Sequence, residues 1–180
     1  LRGITNKTII PLKFFKSIVI NKCSFVNVDS HPSLDYLRKV GFKGNFGVIP
    51  NIVEINEKYL TLTQQTKPRE IKSALHISIL NNRKNVADII RAFAYIHNEL
   101  NRKDCVFHII GEGSEKDNLI KLADELNVLN NCVFFHGFVT DEIKLEMLTN
   151  SDFHILNSDD EGFSVVTAEA ILYGIPVIAT

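Results

Sequence analysis

Glu161-Gly162-Phe163-Ser164-Val165-Val166-Thr167-Ala168-Glu169-Ala170-Ile171-Leu172-Tyr173-Gly174-Ile175-Pro176-Val177-Ile178-Ala179-Thr180, entered through Asp159-Asp160, is the stretch that decides the fold. It reads as a loop with one carboxylate, a short helix beginning near Phe163 with a second, a glycine stop at Gly174, and a buried strand. The two glutamates stand eight positions apart (169 − 161). Glu161 falls just before the helix, beside backbone N–H groups that have no intrahelical partner. Glu169 falls inside it, between Ala168 and Ala170-Ile171-Leu172. A carboxylate in such apolar company costs free energy unless something hydrogen-bonds to it. An isolated glutamate of this kind is more often a solvent-facing helix former.

Upstream of this stretch the pattern alternates strand and helix from Ala74 onward, the mark of a parallel sheet covered by helices on both faces. Leu75–Leu80, Val106–Ile110, Val133–Phe135 and Phe153–Leu156 read as strands, the second a continuous apolar run as expected of a doubly covered sheet. Val86, Ile89, Ile90 and Phe93 keep helical spacing. Ser114 with Asp117 reads as a capping pair for a helix buried through Leu119, Leu122, Ala123 and Leu126. Thr140 reads as the cap of a further short helix. Right-handed crossovers place every post-strand loop on one sheet edge, where ligands of open α/β sheets bind.

Before Ala74 the pattern is less regular. Pro11 opens a helical stretch through Val19, Ser24–Val28 is a strand, Pro32 opens a helix that ends at Gly41, and Phe46–Ile49 is a second strand. Residues 51–72 are polar and aperiodic and read as a linker.

Bulk composition narrows the function. With 45% hydrophobic and 23% charged residues, the 180-residue chain suffices for one domain and part of another. A net charge of −1 gives no electrostatic footprint for nucleic acid. Three scattered cysteines (Cys23, Cys105, Cys132), with no Cys-x-x-Cys, point to free thiols in a reducing compartment rather than a disulfide scaffold or zinc site. No apolar run approaches the ~20 residues of a membrane helix, and no signal peptide is legible. The start at Leu1 and the stop just after a strand read as a fragment.

Three loops carry candidate chemistry besides the Glu161 loop. Asn81-Asn82-Arg83-Lys84-Asn85 offers cations that suit a diphosphate, Arg as a planar fork and Lys as a point charge; the plain alternative is a solvated turn. Gly111-Glu112-Gly113 lacks the third glycine of a dinucleotide fingerprint, Lys116 standing in its place. His136-Gly137-Phe138-Val139 follows the third of these strands, and His136 is more a spacer than a base. The remaining histidines show no metal-ligand spacing. Asp159-Asp160-Glu161 reads as a solvated acidic loop rather than a metal site.

Taken together, Glu161-Gly-Phe-Ser, Glu169-Ala and Gly174-x-Pro176-Val-Ile-Ala resemble the Glu-x7-Glu signature of family 4 (group 1) retaining glycosyltransferases, which have the two-domain B-type fold. The resemblance covers about Val26 to Thr180. It implies a fragment: residues 1–50 as the end of an acceptor-binding domain, 51–72 as linker, and 73–180 as a nucleotide-sugar donor-binding domain incomplete at its C-terminus. It implies Lys84 and Glu161 as catalytic residues. Donor-binding roles fall to Arg83, Gly111, Gly113, Gly137, Phe138, Val139, Gly162, Phe163, Ser164 and Glu169, the last on the ribose hydroxyls. The family arginine five residues before the lysine falls on Ile79, and a second pattern places it on Asn81; the chain has neither. The implied reaction moves a sugar from a nucleotide-diphosphate donor, with no metal or other cofactor, to a sugar or lipid-linked acceptor. Such an enzyme of cell-surface polysaccharide synthesis would be cytoplasmic, at the inner face of a membrane where it associates peripherally. A nucleotide-sugar 2-epimerase of similar fold and an inactive nucleotide-sugar-binding subunit are the alternatives, the missing arginine favouring the second.

Overall fold

A computed structural model of the chain describes residues 20–59, 70–159 and 161–180. The helix expected from Pro11 to Val19, the middle of the expected linker and Asp160 lie outside the described residues. The chain divides into two compact units, one up to Ile52 and one from Val53.

In the first unit, strand β1 (Phe25–Val28) and strand β2 (Asn45–Val48) pair in parallel through helix α1 (His31–Lys39). Ser30 caps α1 by accepting from the Ser33 N–H, and Pro32 sits in its first turn, where a missing N–H costs nothing. The helix stops at Gly41, whose φ of +93° a residue with a Cβ would resist. Leu34 and Leu37 pack with Val28 and Phe42 as a small core.

The second unit is a five-stranded parallel sheet. Its strands are β3 (Lys72–Ile77), β4 (Cys105–Ile110), β5 (Val133–Gly137), β6 (Phe153–Leu156) and β7 (Val177–Ala179), in the spatial order β5-β4-β3-β6-β7. Helices α2 (Val86–Ala94), α3 (Lys116–Glu125), α4 (Asp141–Thr149) and α5 (Val165–Leu172) connect them. Side chains alternate across the pleat. Ala74, Phe107, Ile109 and Val133 meet Ile90 and Phe93 of α2 and Leu119 and Ala123 of α3 on one face. Leu75 and Ile110 meet Leu148 of α4, Ala170 of α5 and Tyr173 on the other. Helices therefore cover both faces, and the strand order reverses between β3 and β6. That reversal opens a crevice at the carboxyl ends of these two strands.

Three expectations need correction. The first strand of this unit ends at Ile77, not Leu80. Beyond it the backbone bends over the end of β4, Ser78 N–H donating to Ile110 O (3.1 Å) and Leu80 N–H to Glu112 O (2.9 Å). Ser114 does not cap α3. Glu115 stands at the cap position without a side-chain bond, and the Glu115 N–H donates instead to Leu80 O at 3.1 Å. The strand after Gly174 is not buried: β7 pairs only with β6, and Ile178 is 54% exposed.

Thr140 caps α4 as expected, accepting from the Ile143 N–H. Ser164 caps α5 through the Thr167 N–H, two residues beyond the expected start.

Candidate functional site

The crevice at the strand reversal is built by two loops, one after β3 and one after β6. They are clamped together by hydrogen bonds between residues distant in sequence. Asp159 N–H donates to Arg83 O (3.0 Å), Ser158 Oγ donates to the same carbonyl (3.3 Å), and Asn85 Nδ2 donates to Asp159 Oδ1 (2.6 Å). Asn85 adopts φ +46°, the left-handed region that Asn tolerates better than most residues, and this lets a single turn of 3-10 helix (Asn82–Lys84) hand over directly to α2. Within this clamp Lys84 Nζ forms an ion pair with a Glu161 carboxylate oxygen. Both side chains are largely shielded, at 17% and 20% exposure, so neither charge is easily left alone. Arg83 lies on the exposed side of the same turn.

Beside the crevice lies a cavity of about 460 Å³, with Ile77, Ser78, Gly111, Phe138, Val139 and Lys144 among its lining residues. Its shape rests on two backbone features. At Gly111 and Gly113 a Cβ would come within 1.9 Å of Ser78 O and 2.1 Å of Leu80 O, so only glycine lets the two post-strand loops touch. The pleat of β5 breaks where Ile110 pairs with Gly137 rather than with His136, leaving His136 as an extra residue. Such a bulge re-aims the chain that follows. Gly137 takes φ +67° and accepts from the Gly111 N–H (2.8 Å), which swings Phe138 to the cavity mouth at 86% exposure. His136 rests on His108, Nε2 to Nδ1 2.9 Å. Burial lowers the pKa of both rings, His136 adding a further lowering at His108.

Glu169 is buried at 8% exposure. Its Oε1 accepts from Lys144 Nζ at 3.0 Å, while its Oε2 is buried with no partner. Lys144 also reaches Asp141 at 3.2 Å. Burial pulls the Lys144 ammonium down, but the Glu169 hydrogen bond and charge, with Asp141, outweigh it and hold the pKa above its ordinary value.

The structure thus gathers the sequence candidates into two adjoining places. Lys84 and Glu161 meet in the crevice, and Arg83 lies on the exposed side of the same turn. Gly111, Phe138 and Val139 line the cavity, with Gly113 and Gly137 behind its wall. Gly162, Phe163 and Ser164 run from Glu161 into α5. Lys144 was not legible as a site residue, since a lysine in the first turns of an amphipathic helix is ordinarily a solvated one. Among the described residues no cluster of three or more His, Cys, Asp or Glu is placed to hold a metal.

Residues 61–180 match the family model described as glycosyl transferases group 1. The chain belongs to that family. This glycosyltransferase is 30% identical over 174 residues to N-acetylgalactosamine-N,N'-diacetylbacillosaminyl-diphospho-undecaprenol 4-alpha-N-acetylgalactosaminyltransferase of Campylobacter jejuni, covering 93% of this chain and 44% of the relative. Over 109 residues it is 32% identical to N-acetyl-alpha-D-glucosaminyl L-malate synthase of Bacillus anthracis, covering 61% of this chain and 27% of the relative. The chain therefore spans less than half the length of these curated relatives. Among solved structures it is similar to sucrose-phosphate synthase from Thermosynechococcus elongatus, with TM-score 0.76, 20% identity, and coverage of 99% of this chain and 46% of that one. It is also similar to S. aureus TarM in a complex containing UDP, with TM-score 0.74, 24% identity, and coverage of 99% and 34%. The fold of the glycosyltransferase is accordingly that of the B-type enzymes.

Proposed function

We propose that this glycosyltransferase takes a nucleotide-diphosphate sugar as donor and transfers the sugar, with retention of configuration, to a sugar or lipid-linked acceptor in cell-surface glycan synthesis. The observation that carries the reading is the Lys84–Glu161 ion pair, held across two loops at the strand reversal and opening beside a cavity of nucleotide size. The diphosphate would replace Glu161 as the partner of Lys84 and free that carboxylate for the sugar hydroxyls. Lys84, with Arg83, then meets the charge that builds on the leaving phosphate. Fixed charges aimed at a developing charge give the largest share of rate enhancement in such sites. The free N–H groups at the start of α5 add their positive end. Glu169 accepts from the ribose hydroxyls, two donors that suit one carboxylate. The acceptor hydroxyl attacks the anomeric carbon from the face the nucleotide leaves, the bond to the diphosphate breaks, and the leaving phosphate takes the hydroxyl proton, with no protein nucleophile and no metal. Residues 1–50 belong to the acceptor-binding domain and 51–72 to the linker in this proposal.

The Campylobacter relative is named for an undecaprenyl-linked substrate. That supports a lipid-linked acceptor here, and the proposal puts the work on the cytoplasmic side of a membrane. Among the described residues no helix is long and apolar enough to cross one.

Calorimetric titration with UDP, GDP and ADP tests the proposal. One nucleoside diphosphate should bind selectively, and Glu169→Ala should weaken it by about 1–3 kcal/mol, the worth of a charged hydrogen bond. Unchanged affinity in the variant would remove Glu169 from the site. Binding without transfer in any acceptor screen would favour an inactive binding subunit, to which Ile79 at the family's arginine position lends support.

A further inference from the structure

The second carboxylate of the Glu-x7-Glu pair has a partner that its own loop and helix do not supply. Lys144 comes from α4, lies on the cavity wall, and holds Glu169 Oε1 at 3.0 Å. The carboxylate therefore sits one hydrogen bond behind the lining. Here Oε2 is buried and unpartnered, although the residue as a whole is more than nine-tenths buried. A desolvated carboxylate oxygen without a donor is costly, and native proteins complete such an atom with an ordered water or a ligand. Leu148 of α4 and Ala170 of α5 also share one apolar cluster with Leu75 and Ile110 of the sheet. Asp141, one turn earlier on α4, takes a second position on the ammonium at 3.2 Å, which fixes where Lys144 can stand.

From this arrangement we propose that Lys144 is a positioning residue for the donor nucleotide: it occupies Oε1 of Glu169 so that Oε2 is left to accept from a ribose hydroxyl. The inference rests on the nucleotide-diphosphate reading of the cavity and adds to it the residue that orients the ribose acceptor. Lys144 touches the carboxylate and acts through it. Its removal leaves Glu169 buried without a cation, free to turn or to draw in water, so that the acceptor is no longer presented to one particular hydroxyl. Arginine in its place keeps the charge and a donor, whereas methionine keeps only the length.

The test compares each nucleoside diphosphate (UDP, GDP, ADP) with its 2′-deoxy counterpart by calorimetry. It uses the unaltered chain and the variants Lys144→Met, Lys144→Arg, Glu169→Gln and the double variant Glu169→Gln/Lys144→Met. The unaltered chain should prefer the ribose form by about tenfold, the worth of one such hydrogen bond. Lys144→Met should bring that preference below about twofold, and Lys144→Arg should restore most of it. In the Glu169→Gln background the further change Lys144→Met should alter neither affinity nor preference. The double variant leaves no unpaired charge, so it remains informative if Lys144→Met alone does not fold.

A preference that survives Lys144→Met overturns the inference. An additional loss in the double variant also overturns it, because Lys144 would then contact the nucleotide itself or serve the fold alone. Failure of the unaltered chain to bind any of the three nucleotides removes the donor reading and this inference together. Nucleotide binding with no ribose preference removes this inference only.

Discussion

Two lysine–glutamate pairs stand side by side in this molecule and differ in what they leave over. Lys84 and Glu161 come from loops, keep some contact with solvent, and are tied to one another inside a clamp of backbone bonds. Lys144 and Glu169 come from helices, and Glu169 is nearly sealed with one oxygen unused. In the crevice a ligand has to exchange partners with an existing pair. Behind the cavity it finds an acceptor already prepared. Under the proposed function the same two residue types would stabilise charge in one place and orient a ligand in the other, according to burial and to the number of lone pairs without a donor.

The comparison breaks most visibly at Lys84. Lys84→Ala should lower turnover of a nucleotide-sugar donor by about 10²–10³-fold, as expected when a fixed charge meets developing charge, a larger effect than the stability lost by leaving Glu161 without its cation. Steady-state assay of nucleoside diphosphate release checks it; survival of activity in that variant and its loss in Arg83→Ala would transfer the task to the neighbouring arginine.

The wall between the two places depends on glycine. Gly113→Ala should destabilise the fold by about 3 kcal/mol or more, measured by urea unfolding, because its Cβ meets backbone rather than a movable side chain. A loss under ~1 kcal/mol would show that the loop after β3 can retreat.

Beneath the crevice, its two strands carry buried histidines. His76 bonds Ile155 O at 2.9 Å and Ser78 Oγ at 2.7 Å, and His154 bonds Leu75 O at 3.0 Å. Burial lowers the pKa of each to about 4, against the opposing pull of those carbonyls. The unfolded rings take up protons near pH 6.5 and the folded ones do not. Stability is therefore full above about pH 6.5 and falls toward pH 4, by up to about 3 kcal/mol per ring. Urea midpoints between pH 7 and 4 measure the slope, and His154→Leu should flatten it by about half. A slope unchanged in that variant would assign the acid sensitivity elsewhere.

Much of this was legible in the sequence, for physical reasons that differ by element. The strand and helix alternation showed because burial on both sheet faces demands apolar runs, and Thr140 showed as a cap because helix starts expose N–H groups. Leu80 misled because a loop laid over a neighbouring strand can be as buried as a strand. Ser114 misled because α3 starts two residues later, at Lys116, the preceding Glu115 being tied by its N–H to the carbonyl of Leu80, remote in sequence. Gly111 and Gly113 suggested room for a ligand, yet their missing Cβ atoms face the adjacent loop. The Glu-x7-Glu spacing pointed to both carboxylates but to neither lysine partner. Lys144 lies 25 residues from Glu169 and Lys84 lies 77 from Glu161, and spacing along one element cannot report a meeting between two.

That last separation has a consequence for how the molecule forms. The central strand β3 bonds β4 after a short crossover, but its other neighbour, β6, is paired through residues 79 apart. Contacts of such sequence separation bear the loop-closure entropy of everything between them and so tend to form late. The crevice is consequently made by the closing event of the sheet rather than by any local turn. A chain emerging from the ribosome would have released β3, α2, β4, α3 and β5 before it possessed the second wall of its own site.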